Sequence, residues 1–200
     1  MMTNGKVPLL PDDRDLWRQM RAGEEQALAA LFRRHYAALY DYGLKLARQE
    51  EPVKDGIQEV FAYLWEKRQT IAPAESVRAY LLASLRRHLL KTLEQRNRQR
   101  TAHEEFDRRQ EREHFSCEDF LILQETEKAE RQTLARALQS IPPRLREALY
   151  LKTSEGLPYR DIAAIMKVSP QVARNYVSEA FQRLRTLLVP TAKQKTLEKP

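Results

Sequence analysis

Apolar side chains recur along the chain at steps of three and four, the period of a helix burying one face, and prolines separate one such stretch from the next. Asp12 to Met20 predicts a short helix with Leu16, Trp17 and Met20 inward. A second helix runs from Glu24 to Ala47. Its inward stripe is Leu28, Leu31, Phe32, His35, Leu39 and Tyr42 or Gly43, which makes His35 a core histidine. Pro52 opens the third in its first turn, where a missing N–H costs nothing, and Val53, Ile57, Val60, Phe61 and Leu64 form the stripe. The fourth follows Pro73, takes Ser76 as N-cap, and buries Val77, Leu81, Leu85 and Leu89. Four such helices make one domain, placed at residues 10–97.

From Arg96 the pattern collapses, and residues 98–128 read as a flexible linker with few core candidates beyond Phe106 and Phe115. Charge changes sign across this boundary. Arg78 to Arg100 holds seven basic residues and one acid, whereas Glu104 to Glu130 holds ten acids and four bases, an asymmetry that separates two working parts. Periodicity resumes near Phe120 and runs through Leu134, Ala137, Leu138 and Ile141 to Pro142-Pro143. A second, smaller helical domain is placed at 129–189. In it Pro143 to Leu151 carries Leu145, Ala148 and Leu149 inward, and Pro158 to Met166 carries Ile162, Ala163 and Met166. After the break at Lys167, Val168 and Ser169, a longer helix begins with Ser169 as N-cap and Pro170 at its first position.

Short helix, tight turn and longer helix make a helix-turn-helix. Ala173, Val177, Ala180, Leu184 and Leu187 take the inward side of the longer helix, which leaves Gln171, Arg174, Asn175 and Ser178 together on the other face of its first two turns. These residues suit base reading: Arg can bond both major-groove acceptors of guanine, and Gln or Asn can do the same to adenine. Amides near Ser169 can meet a phosphate. Lys167 stands where many such turns place glycine.

Composition agrees with an all-α chain that meets a polyanion. Glycine supplies only 5 of 200 residues, against a usual share of roughly 7%, which excludes most sandwich, barrel and Rossmann folds. Lys and Arg number 35 against 28 acids, and the sequence pI is near 9.6. The single cysteine, Cys117, forms no intrachain disulfide and has no cysteine partner for a structural zinc. Its spacing to His114, with His103 nearby, is read as an ordinary surface arrangement and not a metal site. No apolar run approaches the roughly 18 residues of a membrane span, and Met1 to Pro11 lacks the stretch of a signal peptide, so a cytoplasmic chain without membrane insertion is expected. No phosphate loop, nucleophile elbow or spaced carboxylate pair occurs. The sequence therefore implies no catalytic residue, cofactor or metal.

Two motifs together resemble the extracytoplasmic-function group of the sigma-70 family, the promoter-recognition subunits of bacterial RNA polymerase. DGIQEVFAYLWEKR, with Asp55, Gln58, Glu59, Val60, Phe61, Leu64 and Trp65, is similar to the signature of region 2. The stretch from Leu134 to Arg185, with its L-x-x-hydrophobic-P opening at Leu138 to Pro142, Ile162-Ala163 and the closing Ala180 to Arg185, is similar to region 4. The resemblance implies a four-helix region 2 domain, a linker, and a region 4 helix-turn-helix domain. It implies that Asp55, Gln58 and Glu59, with Phe61 and Trp65, dock on a coiled coil of the β′ subunit of core RNA polymerase. Tyr80, Arg86, Arg87, His88, Lys91 and Arg96 would hold the opened minus-10 element of promoter DNA, and Ser169, Gln171, Arg174, Asn175 and Ser178 would read the minus-35 element. The sequence departs from the family at Arg87 and Lys91, where Asn and Asp are common. The resemblance also implies an anti-sigma factor as a partner, and passage of the linker through the polymerase.

Two other functions compete. A free-standing helix-turn-helix regulator would need a dimer surface and would bind DNA tightly without polymerase. A helical signalling adaptor would carry its basic face incidentally, and salt-dependent retention on DNA separates it from the other two.

Overall fold

A computed structural model describes residues 11–100, Phe115 and residues 128–188. Phe106, Phe120, His103, His114, Cys117 and the tail after Pro190 lie outside the described residues. Eight helices follow in order: α1 (Asp13–Arg21), α2 (Glu25–Ala47), α3 (Glu50–Glu66), α4 (Val77–Arg100), α5 (Lys128–Gln139), α6 (Pro143–Thr153), α7 (Tyr159–Met166) and α8 (Pro170–Leu188). Among the described residues there is no strand, and the all-helical expectation holds.

Local chemistry sets the helix ends. Asp12 caps α1 by accepting from the Asp15 amide at 2.7 Å, and acids in the first turn with bases in the last suit the helix dipole. Ser76 Oγ accepts from the Ala79 amide at the head of α4. That helix runs on to Arg100, four residues past the point where its apolar stripe fades.

Around α2 the helices α1, α3 and α4 close a bundle. Gly43 lets α2 and α3 touch: a Cβ there would stand 2.6 Å from Val53 Cγ1. Gly56, inside α3, does the same for α4, where a Cβ would meet Leu85 and His88 at 3.0 Å. His35 is 5% exposed, with Nε2 2.9 Å from Asp13 Oδ2. Burial lowers its pKa by more than the neighbouring carboxylate raises it.

In the C-terminal half, α8 packs on α5, α6 and α7. Its burial falls off from Ala180 through Leu184 to Leu187, which is 50% exposed rather than inward, as the helix runs past the α5–α6 pair.

The two halves also pack on each other. One core continues from Leu16 through Leu82 and Leu85 to Ala148, Leu151 and Val177, with α7 lying against α4. Every residue of α6 from Leu145 to Leu151 is buried, not one stripe, because α8 covers one side and the N-terminal bundle meets the other. Glu147, 3% exposed, accepts from Tyr42 Oη at 2.6 Å and from Arg86 Nε and Nη2 at 2.7 and 3.2 Å. Tyr150 Oη donates to Asp41 at 2.5 Å with Glu155 3.0 Å away, and Glu155 also pairs with Arg78. Lys45, 1% exposed, pairs with Asp41 at 2.6 Å and lies 5.1 Å over the Tyr150 ring.

Burial and the acids beside them raise the pKa of both tyrosines, so their hydroxyls stay protonated donors. Burial works against the charge of Arg86, but the hydrogen bond and charge of Glu147 outweigh it and raise the guanidinium pKa. Removing one partner of such a pair leaves an uncompensated buried charge, at about 3–5 kcal/mol.

The linker enters this junction at Phe115. Its side chain is 1% exposed, with ring centroids 6.0 Å from Tyr42 and 5.4 Å from Tyr150. Its carbonyl accepts from Arg146, whose guanidinium also binds Ile141 O at 2.8 Å and Gln139 O at 3.2 Å.

Gly43→Ala, which drives a methyl into Val53, is expected to destabilise the fold by about 1–3 kcal/mol through overpacking. Urea unfolding followed by circular dichroism checks it, and an unchanged midpoint would show that α2 and α3 can move apart freely.

Candidate nucleic-acid interface

Helix α7, the turn at Lys167 to Ser169 and helix α8 form the helix-turn-helix. Lys167 takes the left-handed conformation at φ 54°, ψ 50°, and its amide bonds Ala163 O to close α7. Ser169 Oγ then accepts from the Val172 amide at 3.2 Å and starts α8. With Ala173, Val177 and Ala180 inward, Gln171, Arg174, Asn175 and Ser178 are all exposed on the opposite face. Gln171 donates to Asn175 Oδ1 at 3.0 Å. The Arg174 guanidinium lies 5.4 Å from the ring centroid of Tyr159, a residue of α7 that the spacing of polar residues on α8 does not reveal; Lys152 Nζ sits 4.9 Å from the same ring. An aromatic against the guanidinium limits the directions it can take while leaving its donors free.

The six cationic and aromatic residues proposed on α4 do not share one side. Arg87 and Lys91 are exposed. Tyr80, half-buried, packs edge-on against Trp17 with centroids 5.1 Å apart, while Trp17 Nε1 donates to Ala72 O in the α3–α4 loop. His88 lies against Gly56 of α3. Arg96 donates to Gln49 Oε1 at 3.0 Å. Arg86 faces the other way, onto Glu147 of α6.

On α3, Asp55, Gln58 and Glu59 are exposed and share a face through their steps of three and four. Phe61 and Trp65 lie beside it and, with Leu28, Ala29 and Phe32 of α2, line an apolar groove of about 460 Å³ whose rim carries Glu25 and Arg33. The Arg68 guanidinium lies 4.4 Å from the Trp65 ring centroid. Tyr63, 52% exposed, lies two residues from both Phe61 and Trp65 and so on another side of α3. Among the described residues no group of three or more His, Cys, Asp or Glu side chains could hold a metal, and no helix is long and apolar enough to cross a membrane.

Comparison with known proteins gives this arrangement its class. Residues 31–99 match the family described as Sigma-70 region 2, and residues 131–184 match Sigma-70, region 4, together covering more than half of the chain. The chain belongs to the sigma-70 family, the promoter-recognition factors of transcription initiation. No curated protein matches it significantly in sequence. Among solved structures it is similar to CnrH in complex with the cytosolic domain of CnrY, at 20% identity and a TM-score of 0.59, over 88% of this chain and 96% of that one. It is also similar to the sigma factor RpoE in complex with the anti-sigma factor NepR from Bartonella quintana, at 21% identity and a TM-score of 0.55, over 82% and 95%. At these identities the likeness is one of fold.

Lys167→Gly removes the Cβ clash of a left-handed lysine and is expected to stabilise the chain by up to about 1 kcal/mol, less the entropy glycine adds to the unfolded state. Thermal unfolding checks the sign. A fall in stability would mean that Lys167 contributes more through its side chain than its backbone costs.

Proposed function

We propose that this chain binds core RNA polymerase and directs it to promoters whose minus-35 element it reads with α8 and whose minus-10 element it helps to open with α4. The observation that carries the reading is the exposed quartet Gln171, Arg174, Asn175 and Ser178 at the start of a capped helix in a helix-turn-helix. A recognition helix presents base-reading groups in that position, and the Ser169 end supplies amides for a phosphate.

The face of Asp55, Gln58 and Glu59, beside the groove of Phe61 and Trp65, is the docking site for the β′ coiled coil. Acids on an otherwise basic chain favour a basic protein partner over DNA. Arg87, Lys91 and Arg96, with Tyr80 and His88 behind them and Arg86 once freed, hold the opened strand by charge, as single-strand grooves do. Residues 10–97 and 129–189 are the two working domains, and 98–128 the linker between them. The factor works in the cytoplasm without a cofactor, and the chemistry is the polymerase's own. An anti-sigma factor is a further partner, a reading supported by the fold shared with a sigma factor solved in complex with one.

Run-off transcription with purified core polymerase, with and without the chain, tests the proposal. Arg174→Ala is expected to cost about 1–3 kcal/mol of discrimination between promoter and mutated minus-35 sequences. Equal loss on every sequence would reduce Arg174 to a phosphate contact. Changing Asp55 and Glu59 together to Lys is expected to abolish co-purification with core polymerase and leave binding to isolated DNA in place; normal assembly would move the docking site elsewhere. Tight operator binding without polymerase would favour a free-standing regulator.

A further inference from the structure

We propose that Tyr159 of α7 is the residue that positions Arg174 for base reading, with Lys152 of α6 fixing the ring, so that the specificity of α8 at one base pair is set from outside α8. The proposal rests on the reading of the minus-35 surface given above and adds to it a residue outside the polar face of the recognition helix.

The argument begins with how arginines are held in this chain. Arg78, Arg86 and Arg183 are each paired with a carboxylate, that of Glu155, Glu147 and Glu179 in turn. An arginine so paired must give up its acid before its fork can meet a base. Arg174 is exposed, and its guanidinium lies instead 5.4 Å from the ring centroid of Tyr159. A ring attracts the cation through its face and accepts none of the N–H bonds of the fork. The donors that match the two major-groove acceptors of guanine therefore stay open.

The ring is itself held. Tyr159 is half-buried at the first position of α7, and Lys152 Nζ lies 4.9 Å from its centroid. Lys152 in turn donates to Leu157 O at 3.2 Å, in the connection between α6 and α7. Carbonyl, ammonium, ring and guanidinium thus form one series that takes a side chain from each of α6, α7 and α8 and ends at the reading face. Its neighbours on that face are restrained differently: Gln171 donates to Asn175 within α8 itself.

A free arginine side chain has many rotamers, and bidentate contact with a base selects one of them. Restraint applied beforehand lowers the entropy lost at that step. Only the matched base pair demands that geometry, since phosphates position a protein without reading sequence. The ring therefore contributes to discrimination and not to affinity alone.

The first test uses the full chain without DNA. Nitrogen-15 relaxation of the Arg174 Nε–H is expected to show a restrained side chain, which Tyr159→Leu frees and Tyr159→Phe leaves restrained. The second is run-off transcription by the holoenzyme on templates changed at the minus-35 base pair whose substitution loses its effect in Arg174→Ala. Tyr159→Leu is expected to lower discrimination there about threefold, Tyr159→Phe to keep it, and Tyr159→Leu to cost nothing further once Arg174 is alanine. Three results overturn the positioning role: an Arg174 side chain as mobile in the wild type as in Tyr159→Leu, a loss in Tyr159→Phe equal to that in Tyr159→Leu, which would make the hydroxyl the contact, or an undiminished effect of Tyr159→Leu in the Arg174→Ala background. The relaxation measurement needs neither polymerase nor promoter. A chain that restrains Arg174 through the ring yet shows no minus-35 discrimination would sink the base-reading role of α8 and leave the ring restraint standing.

Discussion

The arrangement of the molecule depends on a carboxylate with no access to water. Glu147 can be buried only because a guanidinium and a tyrosine hydroxyl from the opposite half of the chain meet it. That requirement fixes how α6 faces α2 and α4, and with it the position of α7 on α4 and of the helix-turn-helix beside the bundle. The apolar residues around it supply most of the attraction, but they do not dictate one orientation; the paired charges do. A junction of this kind specifies geometry more than it adds stability.

Charge is used differently on the two halves. On α3 acids face solvent on a basic chain, and on α8 polar and basic groups do. At the junction acids and bases are turned inward against one another. The acidic face of α3 and the polar face of α8 thus stay separate, one on each half, and α4 carries cations both outward and inward. Its Arg87 and Lys91 point out, its Arg86 and Arg78 across.

Most helices were legible in the sequence because their apolar residues keep one period and their ends carry caps and prolines: Ser169-Pro170, Ser76 and Asp12 mark starts that the structure keeps. The exposed faces of α3 and α8 were legible for the same reason, as the residues left over when a stripe is taken inward. What escaped was contact across the chain. Burial of Leu82, Glu147 and Tyr150 on second faces follows from a neighbour more than 60 residues away, which no local period encodes. Phe115 stood out as a core candidate in a polar stretch and is buried, but its partners Tyr42 and Tyr150 could not be read from any local period. The inward placement of Leu187 failed for the converse reason, since a period continues past the point where its partner helices end. The positive φ of Lys167 was visible as a lysine in a turn position that favours glycine; its tie to α7 was not.

Phe115 lies about midway between the end of α4 and the start of α5, so its anchorage divides one long connection into two short arms. While it holds, each half sits in the other's immediate vicinity. Insertions near Arg100 or Lys128 would lengthen an arm without touching the anchor, so the span between the two helices can vary while the ring contacts of Phe115 keep their place.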